Sequence, residues 1–207
     1  MDAHAWDQRY AASALVWSAG PNRFVAEALT GLRPGRAVDL ACGEGRNALW
    51  LAGLGWDVDA VDFSAVSLEK GRALEGGLDL RGRVSWLHGD ALTHPLAGPY
   101  DVALQAYLQL PAEERRTVSR RAFASLRVGG TFLLVAHDAS NLTEGTGGPQ
   151  DPAVLPTAED VLADLDGERF EVEHADRVAR AVEPDEAHRG EPARTAWDCL
   201  VRLVRTA

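Results

Sequence analysis

The sequence predicts an α/β fold, a doubly wound and mostly parallel sheet with helices on both faces. Three observations predict it. Short apolar segments alternate with helical ones, each strand ends in a short loop, and the last two strands flank an acidic, proline-containing turn typical of an antiparallel pair. At 207 residues with 46% hydrophobic residues, the chain is long enough for one such domain.

Two segments with helical character precede the first strand. A weakly amphipathic segment covers residues 6–17, and its aromatic residues Trp6, Tyr10 and Trp17 are expected to pack against the core or a lid. A second helix is predicted from Asn22, a favourable N-cap, to Leu32.

The stretch from Ala37 to Ala52 organises the rest of the chain. Val38 is part of a short apolar strand, Gly43 and Gly45 form a sharp turn, and apolar residues then return at helical spacing. Such a turn directs backbone N–H groups and a helix N-terminus at one point. The polar part of a ligand can bind there.

The remaining elements follow the same alternation. Strands are predicted at residues 56–61, 84–88, 100–104 and 131–136, helices at 64–75 and 111–126, and a turn at 128–130. A polar loop at 137–156 is a candidate lid, because loops of that length are often functional. A capping box at Thr157 begins a helix to about residue 165, and the final strands lie around 170–178 and 195–205.

We therefore predict a single domain over residues 1–207. It comprises a helical cap (1–34), a cofactor-binding core (35–137), the candidate lid loop (138–156), and a C-terminal helix with an antiparallel strand pair (157–207).

Composition excludes several classes of protein. The net charge is -10, and most of the excess lies after residue 137, which argues against nucleic acid as a partner. No apolar run approaches the length of a membrane span, and the first residues do not resemble a signal peptide, so we expect a cytoplasmic protein. Two cysteines form no disulfide framework, and the histidines show no metal-ligand spacing, so no metal is expected.

Acidic residues around the turn indicate the kind of ligand. The run from Gly43 to Ala48 formally fits the dinucleotide pattern G-x-G-x-x-G/A, with Asp62 after the next strand. Asp39, however, stands before the glycines, and Asp90 ends the third strand. An acid facing the turn would repel a pyrophosphate but suits a cationic or amine-bearing ligand.

On these residues the chain resembles the class I S-adenosylmethionine-dependent methyltransferases, over nearly its whole length. The resemblance implies a Rossmann-like, seven-stranded sheet with an antiparallel last strand. It also implies roles for the matching residues. The segment containing Asp39, Ala41, Gly43 and Gly45 surrounds the methionine part of the cofactor, Asp62 binds the ribose hydroxyls, Phe63 lies beside the adenine, and Asp90 with Ala91 contacts the adenine edge.

Two positions depart from the usual family pattern. Ala41 replaces a common glycine, and Arg46-Asn47 replaces the third glycine, a variant that resembles tellurite-resistance-type and related small-molecule methyltransferases. Arg46 then either lies near the cofactor carboxylate or pairs with a surface acid. Cys42 is interpreted as a packed small residue, because no histidine has a recognisable relation to it.

Three residues after the fourth and fifth strands are candidates at the rim of the site. Gln105 and Tyr107 fall where the family's substrate-facing motif lies, and we assign Gln105 to cofactor binding. Tyr107 and His137 are the candidate proton acceptors, as catalytic residues, if the acceptor is a hydroxyl or a protonated amine. A thiolate or soft anion would need no base, and the sequence leaves both kinds of acceptor open.

The sequence thus predicts methyl transfer from S-adenosylmethionine to a small-molecule acceptor by in-line displacement, with S-adenosylhomocysteine as the other product. Two alternatives remain open: a nicotinamide-dependent oxidoreductase, supported by the formal glycine pattern, and a non-catalytic cofactor-binding regulator. The oligomeric state is not indicated.

Overall fold

The computed structural model describes residues 3–13, 15–16, 20–182 and 193–207. One sheet is formed by β1 (Arg36–Leu40), β2 (Asp57–Asp62), β3 (Arg83–His88), β4 (Tyr100–Ala106), β5 (Leu126–His137), β6 (Phe170–Val182) and β7 (Arg194–Arg205). The helices are α1 (Ala3–Ala11), α2 (Arg23–Leu29), α3 (Arg46–Gly53), α4 (Ala65–Glu75), α5 (Ala112–Ala124), α6 (Asn141–Glu144) and α7 (Ala158–Asp164). No helix of these residues is long and apolar enough to cross a membrane.

The strand order is β3-β2-β1-β4-β5-β7-β6. Strands β1 to β5 pair in parallel, whereas β7 lies antiparallel to both β5 and β6. The expected seven-stranded sheet with an antiparallel last strand is therefore confirmed. The chain order reverses between β1 and β4, and ligands of such sheets bind at the carboxyl ends of the strands beside that point.

Helices cover both faces of the sheet. Phe123 of α5 and Val161 of α7 pack in one core with alternate strand residues such as Val38, on what we call the α5 face. Leu51 of α3 and Val25 of α2 pack in the other core, on the α3 face. Because successive strand residues point to opposite faces, a residue's position in its strand decides which core or site it reaches.

The helices begin at the residues that the sequence marks. Asn22 accepts hydrogen bonds from the N–H groups of Phe24 and Val25, and Ser64 accepts one from Ser67. The capping box at Thr157 is complete. Each of these side chains satisfies backbone N–H groups that have no partner inside the helix.

Three predicted boundaries are wrong. Residues 128–130 do not form a turn, because β5 already begins at Leu126 and passes through a register shift opposite Tyr100, with Gly129 at a φ of +78°. Four residues of β5, 127–130, thus lie opposite one residue of β4, an irregularity that the positive φ of Gly129 permits within the strand. The predicted loop at 137–156 contains α6 and a single 3₁₀ turn, Pro152–Val154. The first helix covers Ala3–Ala11 rather than residues 6–17, and Trp17 lies outside the described residues.

Candidate cofactor and acceptor site

The glycine-rich turn joins β1 to α3 in a left-handed conformation. The φ angle is +58° at Ala41, +57° at Gly43 and +77° at Gly45. Asp62 attaches this turn to β2, since its Oδ2 accepts the Gly43 N–H at 2.8 Å. The N-terminus of α3 therefore begins beside the carboxyl ends of β1 and β2, as the sequence predicts.

Asp39 is a buried carboxylate without a partner at hydrogen-bond distance among the described residues, although the nearby Ala48 N–H acts to lower its pKa. Its side chain is 1% exposed on the α3 face, and neither oxygen is hydrogen bonded in the described part of the chain. Burial, partly opposed by Arg46 and reinforced by Asp62, raises the pKa of Asp39 to about 7. A group buried at such cost is suited to a cationic ligand, which would supply the missing counter-charge.

Asp62 is also buried, but its two oxygens have fixed partners. Besides Gly43, the N–H of Ser64 donates to Oδ1 at 2.8 Å, and burial raises the pKa of the carboxyl. A carboxylate has about four acceptor positions, and these two bonds use one on each oxygen. The Ser67 hydroxyl also acts on this carboxyl and lowers its pKa, and the acceptor positions that remain are available to a ligand hydroxyl.

The residues predicted to contact an adenine lie at the next strand ends. Phe63 is half-buried directly after β2, and the register of β2 and β3 places Asp62 beside His88. Asp90 is exposed and accepts the Leu92 N–H at 2.8 Å through Oδ1, which fixes the loop after β3. The structure thus brings Asp39, Asp62, Phe63 and Asp90 to the same edge of the sheet.

A second polar group of side chains, the Asp198 cluster, comprises Asp198, Tyr107, His137 and Arg180. Asp198 of β7 is fully buried; its Oδ2 accepts from the Tyr107 hydroxyl at 2.9 Å and from Arg180 Nε at 2.6 Å. Its Oδ1 lies 3.2 Å from His137 Nδ1. Burial acts to raise the pKa of Asp198, but His137, Arg180 and Tyr107 lower it below the ordinary value. Asp198 is therefore an anion at neutral pH.

Tyr107 acts as a hydrogen-bond donor in this cluster. Burial and the adjacent Asp198 raise the pKa of Tyr107 to about 12, while Asn22 also donates to its oxygen at 3.4 Å. The backbone of Tyr107 has a φ of +60°, which directs the side chain from the end of β4 toward β7. A hydroxyl that keeps its proton at neutral pH is a poor proton acceptor. The arrangement therefore favours His137 over Tyr107 in that role.

Arg46 and Gln105 lie in different surroundings. Burial lowers the pKa of Arg46, whereas Tyr107 and Asp39 raise it, so its guanidinium interacts electrostatically with both Asp39 and the Asp198 cluster. Gln105 is 2% exposed on the α5 face, where Ser119 donates to its Oε1 at 3.4 Å. Its cofactor role stays a prediction, and its position in the core gives no support for it.

The N-terminal segment contacts the glycine turn. Glu44, 3% exposed, accepts the Val16 N–H at 3.0 Å and pairs with Lys70 Nζ at 3.1 Å. Lys70 also donates to the carbonyl of Tyr10, which is itself buried. Ser64 donates to Asp7 of α1 at 2.5 Å. These contacts place the first sixteen residues, as far as they are described, against the start of α3 and α4.

Sequence reasoning missed Asp198, Arg180 and Glu44. One signal was available, since Asp198 is an acid inside the apolar run from Ala196 to Val201, a position that requires a partner. Glu44 and Arg180 had no comparable signal, because charged residues in a loop or on an edge strand are ordinarily exposed. The buried Cys42 thiol has a raised pKa, which agrees with a packed residue rather than a nucleophile.

We expect Ala41→Gly to stabilise the protein by about 0.5 kcal/mol. The left-handed conformation costs a residue with a Cβ about 1–2 kcal/mol in the folded state. Glycine removes this cost but makes the unfolded chain more flexible, which offsets about 0.4–1 kcal/mol of the gain. Urea unfolding would measure the change. Ala37→Gly, in the preceding strand, should instead destabilise, and a destabilised Ala41→Gly variant would contradict the assigned strain.

The chain is similar to known methyltransferases. A family model described as a methyltransferase domain matches residues 37–130. The ribosomal RNA small subunit methyltransferase C of Alcanivorax borkumensis is 32% identical over 113 residues, which cover 51% of this chain and 33% of that protein. The chain thus spans about a third of the length of this curated relative.

Solved structures share the fold at low sequence identity. The N-methyltransferase NodS from Bradyrhizobium japonicum, in complex with S-adenosyl-L-homocysteine, has a TM-score of 0.73 at 14% identity, and the alignment covers 100% of both chains. TehB from Haemophilus influenzae has a TM-score of 0.72 at 18% identity, covering 90% of this chain and 63% of that one.

Proposed function

We propose that this chain is a class I S-adenosylmethionine-dependent methyltransferase and that it transfers the methyl group of that cofactor to a small-molecule acceptor. The observation that carries the proposal is a pair of buried carboxylates at adjacent strand ends around the glycine turn. Asp39 has no hydrogen-bond partner among the described residues, and Asp62 has acceptor positions left. That combination suits a ligand with a positive charge and two neighbouring hydroxyls.

The residues present fit the cofactor. Asp39 neutralises its cationic methionine part, and Asp62 accepts hydrogen bonds from the ribose hydroxyls. Asp90 and the backbone of Ala91 bind the adenine edge, beside Phe63. Arg46, which interacts electrostatically with Asp39, binds the cofactor carboxylate.

When bound, the cofactor supplies an electrophilic methyl group on a positively charged sulfur. The chain has little covalent work to do, because in-line displacement depends mainly on orientation and on the exclusion of water. Asp39 and Asp62 orient the donor at the ends of β1 and β2. The N-terminal segment, attached through Glu44 and Lys70, limits the access of water from the α4 side.

A small-molecule acceptor and a cytoplasmic location belong to the same proposal. The net charge of -10 disfavours RNA, although the partial curated relative is named as an RNA methyltransferase. Cys42 and Cys199 are both free and buried, which suits a reducing compartment.

Calorimetric titration tests the cofactor. We expect S-adenosylhomocysteine to bind and NADH to give no heat. Tight NADH binding with no response to S-adenosylhomocysteine would favour the oxidoreductase instead. Turnover then separates an enzyme from a regulator: a panel of thiols, phenols, amines and oxyanions should contain at least one acceptor that is methylated.

Asp62→Ala should weaken S-adenosylhomocysteine binding by at least about 10-fold, since two hydroxyls lose a charged acceptor, worth about 1.5–3 kcal/mol. The titration above measures it. Asp57→Ala is the matched control, because Asp57 lies on the same strand but pairs with the exposed Arg83. Equal affinities for the two variants would contradict the ribose assignment, and circular dichroism would check that both are folded.

A further inference from the structure

We propose that His137 is the general base of the acceptor site and that Asp198 is its positioning residue, so that the acceptor presents an O–H or N–H group rather than a thiolate. This inference rests on the proposed methyl transfer and names the acceptor class of the same site. It selects one of the two kinds of acceptor that the sequence leaves open.

The side chains of His137 and Asp198 are in contact. His137 and Asp198 face each other across the register of β5 and β7, with Nδ1 and Oδ1 3.2 Å apart. Both atoms are buried, and within the described part of the chain neither has another partner. A small rotation of the ring would complete the hydrogen bond, and catalytic bonds are often loose before the ligand binds.

The charge of Asp198 decides the tautomer of His137. Asp198 is an anion and can only accept, so the ring nitrogen beside it carries the proton. Nε2 then carries the lone pair. The His137 side chain is 13% exposed, so part of the ring can be reached from outside the core.

The residues around His137 fix its ring without competing for its proton. The Tyr107 ring lies 5.0 Å from the His137 ring, and a Cβ on Gly148 would come within 2.9 Å of its Nε2. Tyr107 and Arg180 both donate to Oδ2 of Asp198, which leaves Oδ1 for His137. Among the described residues, the charged groups of this cluster are Asp198 of β7 and Arg180 of β6, and Arg46 of α3 interacts electrostatically with Tyr107 and Arg180.

Methyl transfer moves one electron pair to sulfur and one proton to His137. The acceptor's lone pair forms the bond to the methyl carbon as the carbon–sulfur bond breaks, and that electron pair stays on sulfur. The proton of the acceptor passes to Nε2 of His137, and Asp198 stabilises the resulting imidazolium until the proton leaves to water. A thiolate has no proton to lose, and for it His137 is dispensable.

The first test uses the cofactor-free protein. Nitrogen-15 NMR of labelled histidine, with the His137 signals assigned through His137→Gln, should show the proton on Nδ1. Asp198→Asn should abolish that preference, and Asp176→Asn, an exposed acid of β6, should keep it. A proton on Nε2 in the wild-type protein would overturn the proposal.

The second test compares phenol with thiophenol, two probes of similar shape of which only phenol keeps its proton near neutral pH. His137→Gln should slow phenol methylation by at least about 100-fold and change thiophenol methylation by less than about 3-fold. His174→Gln, on β6 outside the site, is the control. Asp198→Asn should slow the phenol reaction and flatten its rise with pH, with KM nearly unchanged.

The outcomes separate the two proposals. Equal losses with both probes, or turnover of thiophenol alone by the wild-type protein, would overturn the assignment of His137 and leave methyl transfer intact. Turnover of neither probe, nor of any acceptor in the wider panel, would contradict the proposed function. The imidazole tautomer still decides the arrangement of His137 and Asp198 in that case.

Discussion

Replacing Asp39 with asparagine is expected to raise the free energy of unfolding of the cofactor-free protein by up to about 4 kcal/mol near pH 8. Burial raises the pKa of this carboxyl from 3.8 to about 7, so ionising it in the folded state is costly. Asparagine has nearly the same shape and carries no charge, and the cost disappears with it.

Proton binding by Asp39 decides how the stability of the wild-type protein changes with pH. Between about pH 4 and pH 7 the folded wild-type protein holds a proton on Asp39 that the unfolded chain has released, so stability falls as the pH rises through this range. Above about pH 7 the full cost is present, and below about pH 4 both states are protonated. The gain from Asp39→Asn should therefore be large near pH 8 and small near pH 4.

The same substitution should weaken S-adenosylhomocysteine binding by at least about 10-fold, or about 1.4 kcal/mol, because the ligand's ammonium group loses its counter-charge. Urea unfolding at both pH values and calorimetry would measure the two effects. Asp176→Asn, at an exposed position, should change neither. An unchanged unfolding free energy near pH 8 would show that the carboxylate of Asp39 is better solvated than the structure indicates.

The second large effect is expected for Gly45→Ala, which should cost about 3 kcal/mol or more. Gly45 has a φ of +77°, and a Cβ there would lie 2.2 Å from the Trp86 ring. The ring has no space to move, because a Cβ on Gly71 would lie 2.3 Å from it and its Nε1 donates to Glu75 at 2.7 Å. The turn itself must therefore shift, and cofactor binding should fall with stability.

Gly167→Ala is the matched control. Gly167 has a similar φ of +88°, but a Cβ there would meet nothing within 4 Å. This variant should lose only about 0.5 kcal/mol, the net backbone effect also expected at Ala41. Urea unfolding of both variants separates the backbone cost from the cost of the clash with Trp86. Equal losses of stability in the two variants would mean that the contact with Trp86 contributes nothing.

Features that depend on residues close together in the chain can be predicted from the sequence. Strand periodicity, the caps at Asn22, Ser64 and Thr157, and the glycine turn after β1 were all predicted, because each is decided within a few residues. The acids at the ends of β1, β2 and β3 could be placed together for a related reason: parallel strands end at the same edge of a sheet.

The contacts between segments that are distant in the chain depend on tertiary packing. The irregularity at Gly129 depends on the pairing of β5 with β4, and the Asp198 cluster exists because β7 lies between β5 and β6 in a register that sets Asp198 beside His137 and near Arg180. A shift of one residue would turn Asp198 to the other face. Register between strands some sixty residues apart in the chain depends on the packing of both cores, so the partner of His137 could not be predicted from the sequence around either residue.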